Sequence, residues 1–476
     1  MQLTTREFLK RLGLATAAGI GGAAHGDEFV AAKGKLPPGG CGDPQNLWFA
    51  KNIFPLPHTL SDGPSCFLKD GKVCEPAHEL PVFHETDVVV VGGGPAGFAA
   101  AVSAARAGAK VALVERYGSL GGLFTNGLVL IMLATSRREA DKKWTLVTRG
   151  VCEEFMQRAV ALGADVATAQ PRVKGSRHWQ PTVDPEGAKY LMDRMVEENK
   201  VEMFFHSWGV DVIQDGSRVL GVVFESKQGR QAILAKQVVD CTGDADMLFR
   251  AGGDYRQITH GIGHVVRLGN MDTVTAKKAP VGPDGNRLPG KWPTRSNEAN
   301  PSTWWGNSGT GPKGNGLDVR DLTAAEIGFR REWWEHVRTM RRTPGWERVF
   351  IANTCSQIGP RATRLIDAEF LMDRASVRAG QDFEDVVGWF GADGPHAAMK
   401  VSYRSILPKK VDNILCAGRC LGTGDTIDTF RLICPCFVTG QAAGVAAALA
   451  AQKCISPRQL AYADLRRVLV NQGVYL

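Results

Sequence analysis

The chain has 476 residues, 44% of them hydrophobic and 22% charged, which supports a large buried core and about two domains. Lysine and arginine outnumber aspartate and glutamate 57 to 49, and the resulting +8 is a mild excess at this length. No basic run interleaves with aromatics, which argues against a nucleic-acid partner and leaves an anionic small molecule open.

At the start, Thr4-Thr5-Arg6-Glu7-Phe8-Leu9-Lys10 precedes the weakly apolar run Leu12–Ala24. It resembles a twin-arginine export signal, with Thr5 standing where the first arginine is expected. Residues 1–24 are therefore expected to be an export signal and the protein periplasmic or otherwise exported; a cytoplasmic tail is the alternative. Residues 25–77, rich in proline and glycine, predict an irregular extension over the surface. The 11 cysteines are an odd number, so at least one thiol is unpaired. If export holds, Cys66 and Cys74 are the expected disulfide. Cys416-x3-Cys420 and Cys434-x-Cys436 lack a second pair at zinc spacing and a nearby histidine, so no metal is expected.

The character of the first domain is set from His78 onward by Val88-Val89-Val90-Val91-Gly92-Gly93-Gly94-Pro95-Ala96-Gly97. A β-branched strand runs into a glycine turn, an alanine-rich helix and a second strand, Val111–Val114, closed by Glu115 and Arg116. That order is a dinucleotide-binding βαβ unit. Gly92 allows the tight turn, Gly94 the approach of a pyrophosphate, and Gly97 close helix–strand packing, with Pro95 and Ala96 in the same turn. The helix N-terminus offers unpaired N–H groups to phosphate, and Glu115 accepts ribose hydroxyls. Gly121-Gly122 follows shortly after.

Gly127–Ala134 is too short to span a bilayer and predicts a buried strand or helix. Helices are expected over Val151–Leu162 and Pro185–Asn199, the second capped by Asp184 with proline at its first position. A strand at Val201–His206 leads into a meander through Val210–Ile213, Val219–Phe224 and Gln231–Leu234, with Asp215-Gly216 as a hairpin turn. Residues 251–396 predict an inserted substrate-facing domain. Gly282–Gly316 reads as loop, and Thr323-Ala-Ala-Glu326 as a capping box for a helix reaching about Arg341. Trp304 and Trp305 read as packing residues or a pocket wall.

Later glycine segments decide which dinucleotide is meant. They are Val238–Asp244, with Gly243-Asp244; Asn413–Gly418; and Thr439-Gly440-Gln441-Ala442-Ala443-Gly444. In this order, with Gln357–Arg364 and Tyr403–Pro408, the chain resembles the FAD-dependent oxidoreductase family from about His78 to Leu476. The resemblance implies an α/β fold: a Rossmann-like FAD domain, residues 78–250 and 397–476, carrying an antiparallel meander and interrupted by the 251–396 domain. It implies FAD held by Gly92, Gly94, Pro95, Ala96, Gly97, Glu115, Arg116, Gly121, Gly122, Gly243, Asp244, Gly418, Gly440, Gln441 and Ala442. The helix near Thr439-Gly440 would aim its dipole at the flavin.

The implied reaction is hydride transfer between FAD and a small molecule bearing hydroxyl or carboxylate groups, with an electron donor or acceptor not named by the residues. Reduction of a carbon–carbon double bond, non-redox isomerisation and a purely flavin-binding role are the alternatives. For acid–base chemistry the candidates are His396 and Tyr403, ahead of His260 and His264. Arg361 and Arg404 lead an arginine cluster, with Arg364, Arg419 and Arg431, suited to bidentate carboxylate binding. Ion pairing with Asp367, Asp373 or Asp428 is the bland alternative.

Overall fold

Four consecutive valines need both faces of their strand covered, and Val88–Val91 sit mid-sheet with each side chain at most 2% exposed. The computed structural model describes residues 66–139, 141, 143–168, 179–276, 300–307, 313–373, 382–391, 398–424 and 427–476. The chain divides into Met1–Thr59 and Leu60–Leu476, and every described residue belongs to the second unit. The export segment and His396 lie outside the described residues.

Strand β1 (Val82–Val91) leads through the glycine turn to helix α1 (Pro95–Arg106) and strand β2 (Val111–Val114). Helices α2 (Val151–Leu162) and α3 (Pro185–Glu198) follow, then β3 (Glu202–Phe204) and the meander β4 (Trp208–Asp215), β5 (Arg218–Ser226) and β6 (Gly229–Asp240). The Asp184 carboxylate accepts from the N–H groups of Glu186 and Gly187, so α3 starts where its cap and proline place it. In the sheet β3, β2, β1 and β6 run side by side in parallel. Strand β6 does two jobs. Gly229–Leu234 pairs antiparallel with β5, while Val238–Asp240 pairs in parallel with β7 (Ile414–Cys416). The meander is thereby fused to the parallel sheet through one strand, giving the expected α/β architecture. Two longer helices complete the frame, α4 (Val319–Arg341) within 251–396 and α5 (Ile433–Lys453) after β7.

Alternation along β1 sends Val88 and Val90 to one apolar cluster and Val89 and Val91 to another. The first contains α1 and α5; Phe98 meets Phe155 and Phe437 there at ring-centroid distances of 6.1 and 5.8 Å. Each such buried side chain contributes about 1.5–3 kcal/mol. Helix α5 is long and apolar enough to cross a membrane, but its apolar window is wholly buried inside the protein.

Within 251–396, Val265–Gly269 pairs antiparallel with Trp304–Asn307 and with Phe350–Thr354. Val266, Leu268, Trp333, Val337, Met340 and Trp346 form a separate small core there. Helix α4 begins earlier than expected. Asp318 caps it, accepting from Arg320 N at 2.7 Å and Asp321 N at 3.2 Å, while the Thr323 hydroxyl donates back to the Val319 carbonyl. Trp304 packs edge-on against Trp346, and Trp305 Nε1 donates to the Leu128 carbonyl, so both tryptophans are packing residues.

Two further expectations are corrected. Gly127–Ala134 is buried but is neither strand nor helix: positive φ at Leu128 (56°) and Ala134 (66°) breaks any regular run, and Ile131 makes an isolated bridge to Thr182. The end of the extension is regular rather than irregular, because Phe67–Lys69 pairs with Lys72–Cys74 as a hairpin. Cys66 and Cys74 are free thiols, not a disulfide.

Candidate active site

At the C-terminal ends of β1, β2, β6 and β7 a cleft opens, the position where open α/β sheets bind ligands. Gly92 sits at φ 98°, and a Cβ on it would lie 2.5 Å from the Cys241 carbonyl oxygen, so only glycine fits. A Cβ on Gly97 would meet the Gly92 oxygen at 1.7 Å. Gly94 differs: a Cβ there would meet nothing within 4 Å. Its open face belongs to the cleft wall, beside the N-terminus of α1, which has no side-chain cap. Uncapped N–H groups, a helix dipole and free space together suit a diphosphate.

Glu115, 5% exposed, lines the same cleft. Its carboxylate accepts from Gly93 N at 2.6 Å and Tyr117 N at 2.8 Å; burial nevertheless raises its pKa. Arg116 lies over the rings of Tyr117 and Trp208, at 4.9 and 5.2 Å from their centroids. Gly122 faces the first turn, since a Cβ on it would stand 3.1 Å from Gly94 Cα. Gly243 and Gly418, at φ 87° and 93°, also line the cleft. Gly121 supports it from behind through Gly121 N to the Gly93 carbonyl.

Pro95 and Ala96 line the cleft as well, whereas Gly440, Gln441, Ala442 and Asp244, also expected to touch a cofactor, do other work. Helix α5 begins at Ile433, so Ile433 and Cys436 reach the cleft and Gly440 is two turns inside the helix. Gly440 packs on the Ala96 backbone. Gln441 accepts from Val151 N at 3.0 Å, satisfying the first turn of α2, and Ala442 is fully buried. Asp244 is turned to Arg419, at 2.7 Å.

Among the catalytic candidates, Tyr403 is 4% exposed; its hydroxyl donates to the Pro457 carbonyl at 2.9 Å, and burial pushes its pKa up. Arg404 is exposed and paired with Asp385, with Nε 3.1 Å from Oδ2. Neither is part of the cleft wall. Arg364 is clamped on Asp246 and lies over Phe249. Arg361 is half-buried within electrostatic reach of Arg431 and Asp428; burial and then the Arg431 charge lower its pKa.

Arg431 lines the cleft, together with Gln357. Its Nη2 meets Asp428 Oδ1 at 3.2 Å, while its Nε and the Gln357 side-chain oxygen are buried and have no hydrogen-bond partner among the described residues. His260 meets the same Asp428 oxygen at 3.0 Å. Because Gly261 N donates to His260 Nδ1 at 2.7 Å, the proton sits on Nε2, which donates to Asp428. Burial opposes the charge on Asp428, but Arg431 and His260 hold its pKa below the usual carboxylate value. No sequence signal links His260 to Asp428. The buried thiols of Cys241 and Cys436 also border the cleft; burial raises both, Cys436 to about 12, so they stay protonated. Among the described residues no group of side chains could hold a metal ion.

The sequence profile described as FAD dependent oxidoreductase matches residues 87–469. The chain belongs to this FAD-dependent oxidoreductase family. FAD is the cofactor, and the glycine-lined cleft fits it. Over 227 residues the chain is 27% identical to digeranylgeranylglycerophospholipid reductase 1 of Methanopyrus kandleri, covering 45% of this chain and 56% of that one. Over 47 residues it is 56% identical to a dihydrolipoyl dehydrogenase of Trypanosoma brucei brucei, 10% of each chain. It thus spans at most just over half the length of these curated relatives. A geranylgeranyl bacteriochlorophyll reductase-like protein of Thermoplasma acidophilum aligns over 82% of this chain and 84% of its own, at 14% identity and a TM-score of 0.42.

Proposed function

We propose that the protein exchanges a hydride between FAD and a small polar molecule carrying a carboxylate, docked at the Arg431 side of the cleft. The observation that carries this reading is Arg431 itself: a guanidinium in the cleft wall, oriented by Asp428, with a buried Nε that lacks an acceptor. A substrate carboxylate supplies that acceptor, and the charge-assisted bond is stronger than a neutral one. The Gln357 oxygen, also without a partner, would take a substrate hydroxyl.

Bound FAD supplies the two-electron acceptor or donor. The chain's own residues do the rest: the α1 N-terminus and Gly94 hold the diphosphate, Glu115 the ribose, and Arg431 the substrate. Removing a hydride from a carbon–hydrogen bond also releases a proton, and His396 is the residue we propose to carry it. The engaged nitrogens of His260 fit a different task, steadying Asp428.

Purified protein, mixed without oxygen with hydroxy acids, amino acids, simple polyols and unsaturated acids, tests the reading. Bleaching of the flavin band by a carboxylate-bearing donor, with the rate cut at least about tenfold by Arg431→Gln, supports it. Bleaching by uncharged polyols alone, unaffected by Arg431→Gln, overturns the substrate class. An unsaturated acid that reoxidises reduced protein supports the same site working in the reductive direction.

A further inference from the structure

Arg419 lines the cleft beside Arg116 and Arg431, and an ion pair alone does not account for how it is held. It follows Gly418 just beyond β7. Its side chain is 11% exposed, and Nη2 lies 2.7 Å from Asp244 Oδ1. That oxygen also accepts from the Thr363 hydroxyl, which fixes the carboxylate in turn. A Cβ on Gly243 would stand 2.8 Å from Arg419 Nε, so the guanidinium lies directly against a turn that only glycine leaves open. Its other terminal nitrogen, Nη1, is buried and has no hydrogen-bond partner among the described residues.

A stitch between β7 and Asp244 needs one edge of the guanidinium. It gives no reason to bury the other edge unpaired, because a buried charged donor without an acceptor loses its hydration and gains nothing in return. A ligand oxygen makes good that loss. The neighbourhood says which oxygen. Gly418 lies close to Ala96, since a Cβ on it would be 3.1 Å from Ala96 Cβ. Gly94, Ala96, Gly243, Gly418 and Arg419 thus wall one cleft at the uncapped N-terminus of the 12-residue helix α1. Helix dipole and guanidinium both favour an anion there, and the diphosphate is the anionic part of FAD.

We propose that Arg419 is a ligand of the FAD diphosphate, donating from Nη1 while Asp244 holds the guanidinium by its other edge. Asp244 then acts on the cofactor only through Arg419, as a positioning residue. The proposal rests on the FAD reading, and it adds a full positive charge to a site whose helix supplies only partial charge.

The full chain, freed of flavin and titrated with FAD by fluorescence quenching, tests it alongside Arg419→Gln and Arg419→Lys. Arg419→Gln should bind FAD at least about tenfold more weakly, and Arg419→Lys should lose less, because the charge stays while the fixed fork is gone. The flavin-free variants are melted in parallel. An Arg419→Gln protein that melts earlier yet binds FAD as wild type does is the pattern of a mere stitch and overturns the proposal. If Arg419→Gln does not fold, Arg419→Lys decides: weaker FAD binding supports the ligand role, and unchanged binding overturns it. A wild-type chain that binds no FAD overturns the cofactor reading, a failure distinct from one confined to the variants.

Discussion

Gly440 rests against the main chain of Ala96: a Cβ built on it would lie 2.0 Å from the Ala96 carbonyl oxygen. One turn on, Gly444 stands in the same relation to Ala100, at 2.1 Å. The two glycines let α5 lie backbone to backbone on α1, the helix whose N-terminus forms the cleft wall. Gly440→Ala must push the helices apart, and overpacking against backbone costs about 3 kcal/mol, the upper end of such effects. The expected outcome is a melting temperature lowered by several degrees in the flavin-free protein, with FAD affinity falling as the α1 N-terminus shifts. Unchanged melting would mean the crossing tolerates a methyl group, and the packing role would be wrong.

Gly94→Ala should behave in the opposite way. Its φ of −68° is open to any residue, and an added Cβ meets no protein atom within 4 Å. The flavin-free protein should therefore melt at the wild-type temperature or slightly above, because alanine narrows the unfolded ensemble. The methyl group occupies space where a diphosphate has to approach. FAD affinity should drop about a hundredfold, read by titration. An alanine variant that retains wild-type FAD binding would place the diphosphate elsewhere.

These two glycines also mark how far the sequence could be read. Gly92, Gly94 and Gly97 act through local spacing between a strand and a helix, so their roles are visible without a fold. So are Asp184 and Pro185, which start a helix within three residues of themselves. The role of Gly440 depends on which helix crosses it, and Ala96 lies far away in sequence. Read in sequence as cofactor contacts, Gly440, Gln441 and Ala442 here meet the Ala96 backbone, the first turn of α2 and the core, while the family resemblance they supported was right. The arginines divide for the same reason. Arg404 and Arg431 look alike in sequence, but the carboxylate each meets, and whether it reaches the cleft, is settled only by tertiary structure. His260 gained its partner, Asp428, across 168 residues.

Tyr403 provides a direct test of a residue whose sequence position suggested chemistry. With its hydroxyl donated to the Pro457 carbonyl and its ring buried, it has no route to a substrate in the cleft. Tyr403→Phe should cost about 1–3 kcal/mol of stability by leaving a buried carbonyl unpaired. The pH profile of kcat should be the same as in wild type. Loss of a basic limb in that profile would restore Tyr403 as an acid–base group.

Asp240 sets a pH dependence on the sheet itself. The last residue of β6, it is fully buried, and its carboxylate accepts from Thr242 N and Oγ1 and from Leu248 N, tying down the turn that carries Gly243. Burial raises its pKa from 3.8 to about 6, with Asp246 adding to the rise and the hydrogen bonds only partly offsetting it. The folded protein then holds a proton that the unfolded chain gives up, so Asp240's contribution is fully present below about pH 4 and is lost as pH rises through about 6. The loss is roughly 3 kcal/mol, because each tenfold gain in proton affinity on folding is worth about 1.4 kcal/mol. Asp240→Asn keeps the shape, lacks the titration and gives up one acceptor. Measured by denaturant unfolding, wild type should lead the variant most at pH 4, and that lead should shrink steadily towards pH 7. A constant gap across this range would show that Asp240 stays ionised in the fold, with its three hydrogen bonds outweighing burial.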